Sequence, residues 1–373
     1  ATISVSRAVR GLVLVSHSSA ASSTEVINAG INYLLTQQKP DGSWQTSSGT
    51  EFFDTSTVVE LLETIGSTST AAYASSTDWI DHQFPNNNEF RADQVRTLAV
   101  SGKYFTSPIQ FLINQYNDTD KGYGFQNSYA SDPLVTAKVL RAVTAGDPSN
   151  IAVTATLLYL VNHQNSDGGW SEAPGLTSSV YATAVGLEAL EPYKTFFLSG
   201  LPQGTVSFAS ITANALSYLA NIQSSDGTWN QDLLDTSLAF RALNRYQTPV
   251  TYADQALSFL LSSQATDGSF ANGSIFTTAK VLQALVDADL ENPDLAVTSV
   301  TPLTALVNAS PATFDVRIVN EGAATATGGT LYVFVDDLRF GSFDLTGYGV
   351  VLNPGDELLL QLTFETGAAA RFI

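Results

Sequence analysis

The sequence predicts a multidomain chain: one large all-α domain of six helix pairs, then a small all-β domain built as an Ig-like sandwich. Two observations carry this expectation. A short motif recurs six times, each copy followed by apolar residues at helical spacing, and near residue 291 that spacing changes to strict alternation. Length and composition make it feasible, since 373 residues at 44% hydrophobic exceed one small domain and can bury a real core.

Taken in order, residues 1–23 form a leader. Arg7 and Arg10 precede a short apolar run over 11–15 and then a Ser/Ala tract. The run is too brief for a secretory core, so the segment reads as a flexible leader or, given Ile3, Val5, Val9, Val13 and Val15, as a strand.

Residues 24–290 carry the repeats. Four copies share Gln-x-x-Asp-Gly-x-Trp/Phe, running from Gln38 to Trp44, Gln164 to Trp170, Gln223 to Trp229 and Gln264 to Phe270. Five residues before each Gln stands an aromatic-aliphatic pair such as Tyr33-Leu34 or Tyr159-Leu160. Two looser copies lead from Trp79-Ile80 to Gln83 and Phe90, and from Phe111-Leu112 to Gln115 and Phe125. After each copy a second helix begins at an anchor, Thr55, Asp93, Thr136, Thr183, Thr236 or Thr278, and for all but Asp93 the positions four and seven residues on are apolar. The Asp-Gly step is a turn device, Gly supplying the left-handed backbone and Asp bonding the amide beyond it. Asp54 and Asp235, beside anchor threonines, read as N-caps.

These Gln-x-x-Asp-Gly-x-Trp units resemble the QW-type repeats of the prenyltransferase and squalene/hopene cyclase superfamily. The resemblance implies an (α/α)6 toroid, six inner helices ringed by six outer ones.

Residues 291–373 alternate: Leu295, Val297; Phe314, Val316, Ile318; Leu331, Val333, Val335; Leu358, Leu360, Leu362, Phe364. Turn residues separate the runs, which suggests a β-sandwich. The stretches over 293–300 and 313–322 resemble the bacterial CARDB-type adhesion module. That resemblance implies an Ig-like, extracellular domain.

Chemistry is read mostly by elimination. Sixteen basic residues against 35 acidic ones give a net charge of −19, which argues against nucleic-acid binding. No apolar run is long enough to cross a membrane. Zero cysteine excludes thiolate catalysis and every Cys-ligated metal site. The resembled superfamily protonates alkenes with an Asp-x-Asp-Asp acid; Asp287-Ala-Asp289-Leu290 and Asp118-Thr-Asp120-Lys121 both lack its final Asp. The zinc thiolate of the prenyltransferase members is missing as well. No cofactor is therefore expected, and Asn117, Asp118 and Asp120 are a weak calcium candidate beside the alternative of a solvated turn. His82 and His163 each stand just before a Gln at a helix end, where a capping role is favoured over a ligand role.

If the apolar +4 and +7 positions pack outward, the +2 and +5 positions face the toroid axis. They carry Glu60, Lys138, Arg141, Glu188, Arg241 and Lys280, with Gln283 and Thr57. Two readings stay open, a salt-bridged plug and a polar pocket for an anionic or sugar ligand. Four cations against two anions would need balancing by Asp54, Asp235, water or a bound anion. With no recognised catalytic group, the enzyme question leans to no. The sequence reads as a non-catalytic extracellular or cell-surface binding or assembly protein, its partners being other proteins, glycan or a second copy of itself. A glycan-active (α/α)6 enzyme such as a polysaccharide lyase and a cobalamin-like carrier are the alternatives.

Overall fold

In the computed structural model the described residues are 5–6, 23–127, 129–201, 204–289, 295–302, 311–320, 330–335, 338–344, 350–353 and 356–365. The chain divides into two units, Ala20–Asp287 and Ala1–Ser19 together with Ala288–Ile373.

The larger unit alternates outer and inner helices. The outer ones are α1 (Ser23–Thr36), α3 (Ala71–Asp81), α5 (Thr106–Ile113), α7 (Ile151–Asn162), α9 (Phe208–Asn221) and α11 (Ala253–Ser262). The inner ones are α2 (Glu51–Thr64), α4 (Asn88–Val100), α6 (Pro133–Gly146), α8 (Val180–Leu190), α10 (Leu233–Arg245) and α12 (Ile275–Asp289). Inner helices start cleanly because side chains bond their free amides: Asp132 accepts from Val135 N, Ser179 from Ala182 N and Asp232 from Asp235 N. Asp54 and Asp235 are not the caps expected. Each lies inside its helix's first turn, Asp54 accepting from Thr46 N at 2.6 Å and Asp235 from Asn230 Nδ2 at 2.8 Å.

The repeated motif is a hydrogen-bonding device that fastens one helix pair to the next. Trp44, Trp170, Trp229 and Phe270 are fully buried. Each of these tryptophans donates Nε1 to a carbonyl at the end of its own outer helix, of Leu34, Leu160 and Leu219. All four aromatic backbone amides donate to the anchor hydroxyls of Thr55, Thr183, Thr236 and Thr278. The motif Gln reaches across: Gln38 donates to Ala72 O, Gln164 to Ile211 O and Gln223 to Tyr252 O, all on the following outer helix or its start. In the last copy Gln264 donates to Val26 O of α1 at 2.7 Å, so the same bond closes the ring. Tyr33 Oη to Gly273 O at 2.9 Å and Ile275 N to Thr46 Oγ1 at 2.9 Å join the same ends. Gly42 has φ +93, and a Cβ there would lie 2.5 Å from Ser75 O, so the turn requires glycine.

Two copies depart from the reading. In the second, no aromatic enters the slot; Gln94 of α4 donates its amide to Ile80 O at 2.9 Å, doing what tryptophan does elsewhere. In the third, buried Tyr123 fills the slot and its amide donates to Thr136 Oγ1, whereas Phe125 is exposed. A hairpin between α8 and α9, β2 (Phe197–Leu201) with β3 (Gly204–Ser207), was not foreseen.

The smaller unit corrects the fold expected for it. Its described strands are β1 (Val5–Ser6), β4 (Leu295–Pro302), β5 (Pro311–Asn320), β6 (Thr330–Val335), β7 (Leu338–Asp344) and β8 (Glu357–Glu365). They form one four-stranded antiparallel sheet, β1-β8-β5-β4, and a separate two-stranded pairing of β6 with β7. An Ig-like sandwich needs two multi-stranded sheets face to face, and the described residues form none. Alternation identified strands correctly but says nothing about how strands are shared between sheets. Leader residues Val5 and Ser6 pair with Leu360 and Leu359, and Ser23 opens α1; the other leader residues lie outside the described residues. Among the described residues no helix is long and apolar enough to cross a membrane.

Candidate functional site

The inner helices bring the six axial residues together. Arg141 binds Glu60 and, at 3.1 Å, Glu188. Lys280 meets Glu60 at 2.9 Å. Arg241 spans Glu188 at 2.5 Å and Asp287 at 2.7 Å, and also donates to Gln283 Oε1 at 3.1 Å. Lys138 pairs with Glu89 at 2.9 Å and Asp93 at 3.0 Å. These groups are largely desolvated: Arg241 is 2% exposed.

Burial pushes the Glu60 carboxyl up, but Arg141, Lys280, Arg96 and Arg241 outweigh it and hold Glu60 well below the usual carboxylate range. Glu188 behaves likewise, pushed up by burial and pulled further down by Arg141, Arg241 and Lys280. Burial works against the charge on Lys138, yet Asp93, Tyr181 and Glu89 together raise its affinity for the proton. Both carboxylates therefore stay ionised and Lys138 stays protonated.

The charge excess counted from sequence does not exist. Asp54 and Asp235 take no part; Glu63, Glu89, Asp93 and Asp287 supply the missing anions. With Arg96 and Arg245 included, six cations face six carboxylates. The anions that close the gap, Glu63, Glu89 and Asp287, lie off the +2 and +5 positions; the second repeat, misaligned by two residues, hid one charge of each sign. Asn87 caps α4 on Phe90 N, and the caps of α6, α8 and α10 stand four residues before their anchor threonines, so the anchor slot of α4 is Arg91. Asp93 is thus not an anchor. It takes the +2 position and Arg96 the +5 position, both on the axis.

Two residues before each anchor lies a further tier that the sequence reading did not consider. Phe53, Glu89, Leu134, Tyr181, Leu234 and Phe276 stand there, and Phe53 stacks on Phe276 with ring centroids 4.1 Å apart. Phe90 joins them 6.4 Å from Phe53 and 5.0 Å from Phe52, and Trp79 lies 6.2 Å from Phe52. The Lys138 ammonium sits 5.4 Å from the centre of the Phe53 ring. The N-terminal end of the inner ring thus has an aromatic side, built from α2, α4 and α12, beside the ion pairs of Lys138.

Between the tiers the axial cavity holds about 30 Å³, room for a water or two. Near the same end Asp132 is buried, and burial pushes its carboxyl up to about 7 against the pull of the Val135 amide, with Glu89 adding to the rise.

The calcium candidate does not converge. Asn117 Oδ1 accepts from Thr119 N, Asp120 accepts from Ser131 N at 2.7 Å, and Asp118 points to solvent 3.9 Å from Lys121. Among the described residues no group of three or more His, Asp or Glu side chains is placed to hold a metal. His82 and His163 are C-cap residues whose Nδ1 atoms meet Asp78 O and Tyr159 O.

No protein-family model matches the chain. Drimenyl diphosphate synthase of Streptantibioticus cattleyicolor is 25% identical over 252 residues, covering 64% of this chain and 40% of that protein. The chain therefore spans about two fifths of that relative's length. Among solved structures, the type II terpene cyclase MstE from Scytonema superposes with a TM-score of 0.56 at 16% identity, over 72% of this chain and 99% of the cyclase. An MstE variant with geranylgeranyl dihydroxybenzoate matches equally, at TM-score 0.56, over 71% of this chain and 97% of that one. A protein from Actinoplanes reaches 0.56 at 17% identity, over 72% of this chain and all of that one. The expectation of a non-catalytic extracellular binding or assembly protein, with its lyase and carrier alternatives, is corrected by these likenesses, which are to cyclases and a synthase. The described residues form no sandwich, so the expected adhesion module is not found among them. What the likenesses establish is architecture: the larger unit has a terpenoid-cyclase-like fold.

Proposed function

We propose that the chain carries out carbocation chemistry on an isoprenoid, a cyclisation of the type for which its relatives are named. The observation that supports this most is the aromatic side of the inner ring, where Phe53 stacks on Phe276, lies 6.4 Å from Phe90 and faces Lys138. Aromatic faces attract cations by their quadrupole, and Phe53 already faces one in Lys138. The axial cavity, about 30 Å³ against the several hundred that ligand pockets occupy, is too small for a prenyl chain. The substrate therefore lies across the aromatic side, with the ionic network as its floor.

In the absence of an Asp-x-Asp-Asp acid, the proton donor is assigned to Asp132, which burial keeps protonated up to about pH 7. Its proton adds to an alkene carbon, the resulting cation is attacked by a second alkene to close a ring, and loss of a proton from the final cation restores the balance. The product is an isomer of the substrate.

The test incubates the full chain with farnesyl diphosphate, geranylgeranyl diphosphate and a prenylated dihydroxybenzoate, and separates products by mass spectrometry. The expected result is a cyclic isomer of unchanged mass, formed at least about 100-fold more slowly by Asp132→Asn, the usual scale for loss of a general acid. Asparagine caps a helix as well as aspartate does, so the fold is kept. Binding of all three compounds without any isomer, or full activity in Asp132→Asn, would overturn the reading or the assignment respectively.

A further inference from the structure

A second cavity, sharing no residue with the axial one, opens between the start of α4 and the loop after α5. It measures about 420 Å³ and is lined by Asn86, Asn88, Arg91, Phe111, Gln115, Gln126 and Asn127. That volume lies within the range of small-molecule sites.

Its centre is Arg91, which occupies the anchor slot filled by threonine elsewhere. Every other lysine and arginine among the described residues 23–287 has a carboxylate within salt-bridge reach. Arg91 has none among the described residues. Its guanidinium lies 4.0 Å from the centre of the Phe111 ring and donates one Nη2 bond to Pro85 O. Its Nε is buried and has no hydrogen-bond partner. Partial burial, with no anion to offset it, lowers the affinity of this guanidinium for its proton. In a chain of net charge −19, one cation is thus held away from every carboxylate among the described residues. A buried, unpaired charge is costly unless something else supplies the counter-charge.

We propose that this cavity binds a small hydroxylated carboxylate. The terminal Nη atoms of the guanidinium, which unlike Nε are not sealed off, offer a carboxylate's two oxygens a planar pair of donors. Around it the wall is neutral amide, and Asn and Gln both donate and accept, which is what hydroxyl groups require. The exposed half of Phe111 gives the carbon backbone an apolar surface. No acidic side chain lines the cavity to repel the ligand.

The experiment titrates the full chain with gluconate by calorimetry at low ionic strength, with sorbitol, hexanoate and inorganic phosphate as comparisons. Gluconate should bind at least tenfold more tightly than sorbitol, which lacks the charge, and than hexanoate, which lacks the hydroxyls. Arg91→Gln should weaken gluconate at least tenfold. If that variant fails to fold, Gln115→Ala with Asn127→Ala carries the test, with a several-fold weakening expected at an unchanged melting temperature. Absence of gluconate binding, equal binding of sorbitol, or unchanged affinity in the variants overturns the proposal. Phosphate binding as tightly as gluconate marks a plain anion site and overturns the assignment of a hydroxy carboxylate.

Discussion

Replacing Arg241 by alanine tests whether the axial charges hold the inner ring together. Arg241 is 2% exposed and touches Glu188, Asp287 and Gln283. Removing one partner of a buried ion pair costs about 3–5 kcal/mol, because the other is left desolvated. Two contacts set the value near the lower end: Glu188 keeps Arg141 at 3.1 Å, and Asp287 keeps Arg245 at 3.2 Å. A loss of about 3 kcal/mol in a unit of this size lowers the melting temperature by about 6–12 °C. Differential scanning calorimetry of the two proteins at pH 7 reads it. The pH dependence follows from Glu188, whose carboxyl the neighbouring cations hold below its ordinary value. A depressed carboxylate stabilises fully above its unfolded value near 4.3 and ceases to do so as pH falls through the folded one. The gap between wild type and variant should therefore be complete at pH 7 and narrow below about pH 4. A melting temperature within 2 °C of wild type at pH 7 would refute the reasoning, since the network would then be ornamental to stability.

Asp132→Asn should stabilise the protein at pH 8 and not at pH 4. Its carboxyl is raised to about 7, so the folded state binds the extra proton and wild-type stability falls as pH rises from about 4 through 7. A rise from about 3.9 to about 7, already net of the amides at the helix start, corresponds to about 4 kcal/mol as an upper figure; urea unfolding at both pH values reads it. Trp170→Phe should cost about 1–2 kcal/mol in the same assay, because Leu160 O loses its Nε1 donor while phenylalanine already serves this slot as Phe270. Gly42→Ala should lower the melting temperature more than Gly49→Ala, both having positive φ, because only at Gly42 would the added carbon strike backbone. Gln264→Ala should speed proteolytic cleavage near α1, since it removes the bond to Val26 O that closes the ring.

What was legible in the sequence was whatever its own residues complete locally. The four strong copies name both ends of their hydrogen bonds, from Gln38 through Trp44 to Thr55, so a reader of the motif recovers the helix pair and its anchor. The second copy was opaque for a physical reason: the donor that replaces tryptophan is Gln94, which comes from the inner helix and lies outside the motif. Without that landmark the anchor slipped from Arg91 to Asp93, and the axial pair Asp93 and Arg96 was hidden; the ring looked short of anions because Glu63, Glu89 and Asp287 lie off the +2 and +5 positions. The six predicted axial residues do meet on the axis, but the tier of Phe53 and Phe276 went unread because only the +2 and +5 positions were considered. In the smaller unit, alternation revealed β5 and β8 but not their pairing in one sheet with β4 and β1, because a period of two is common to every sheet arrangement.

The measurement that bears most directly on the central claim is a crystal structure of the protein with a non-hydrolysable geranylgeranyl diphosphate analogue. The account predicts the prenyl chain in density across Phe53, Phe90 and Phe276, with the ion pairs of Glu60, Arg141 and Glu188 unbroken beneath it. A chain threaded down the axis with those pairs parted, or a chain bound nowhere near the three rings, would contradict it.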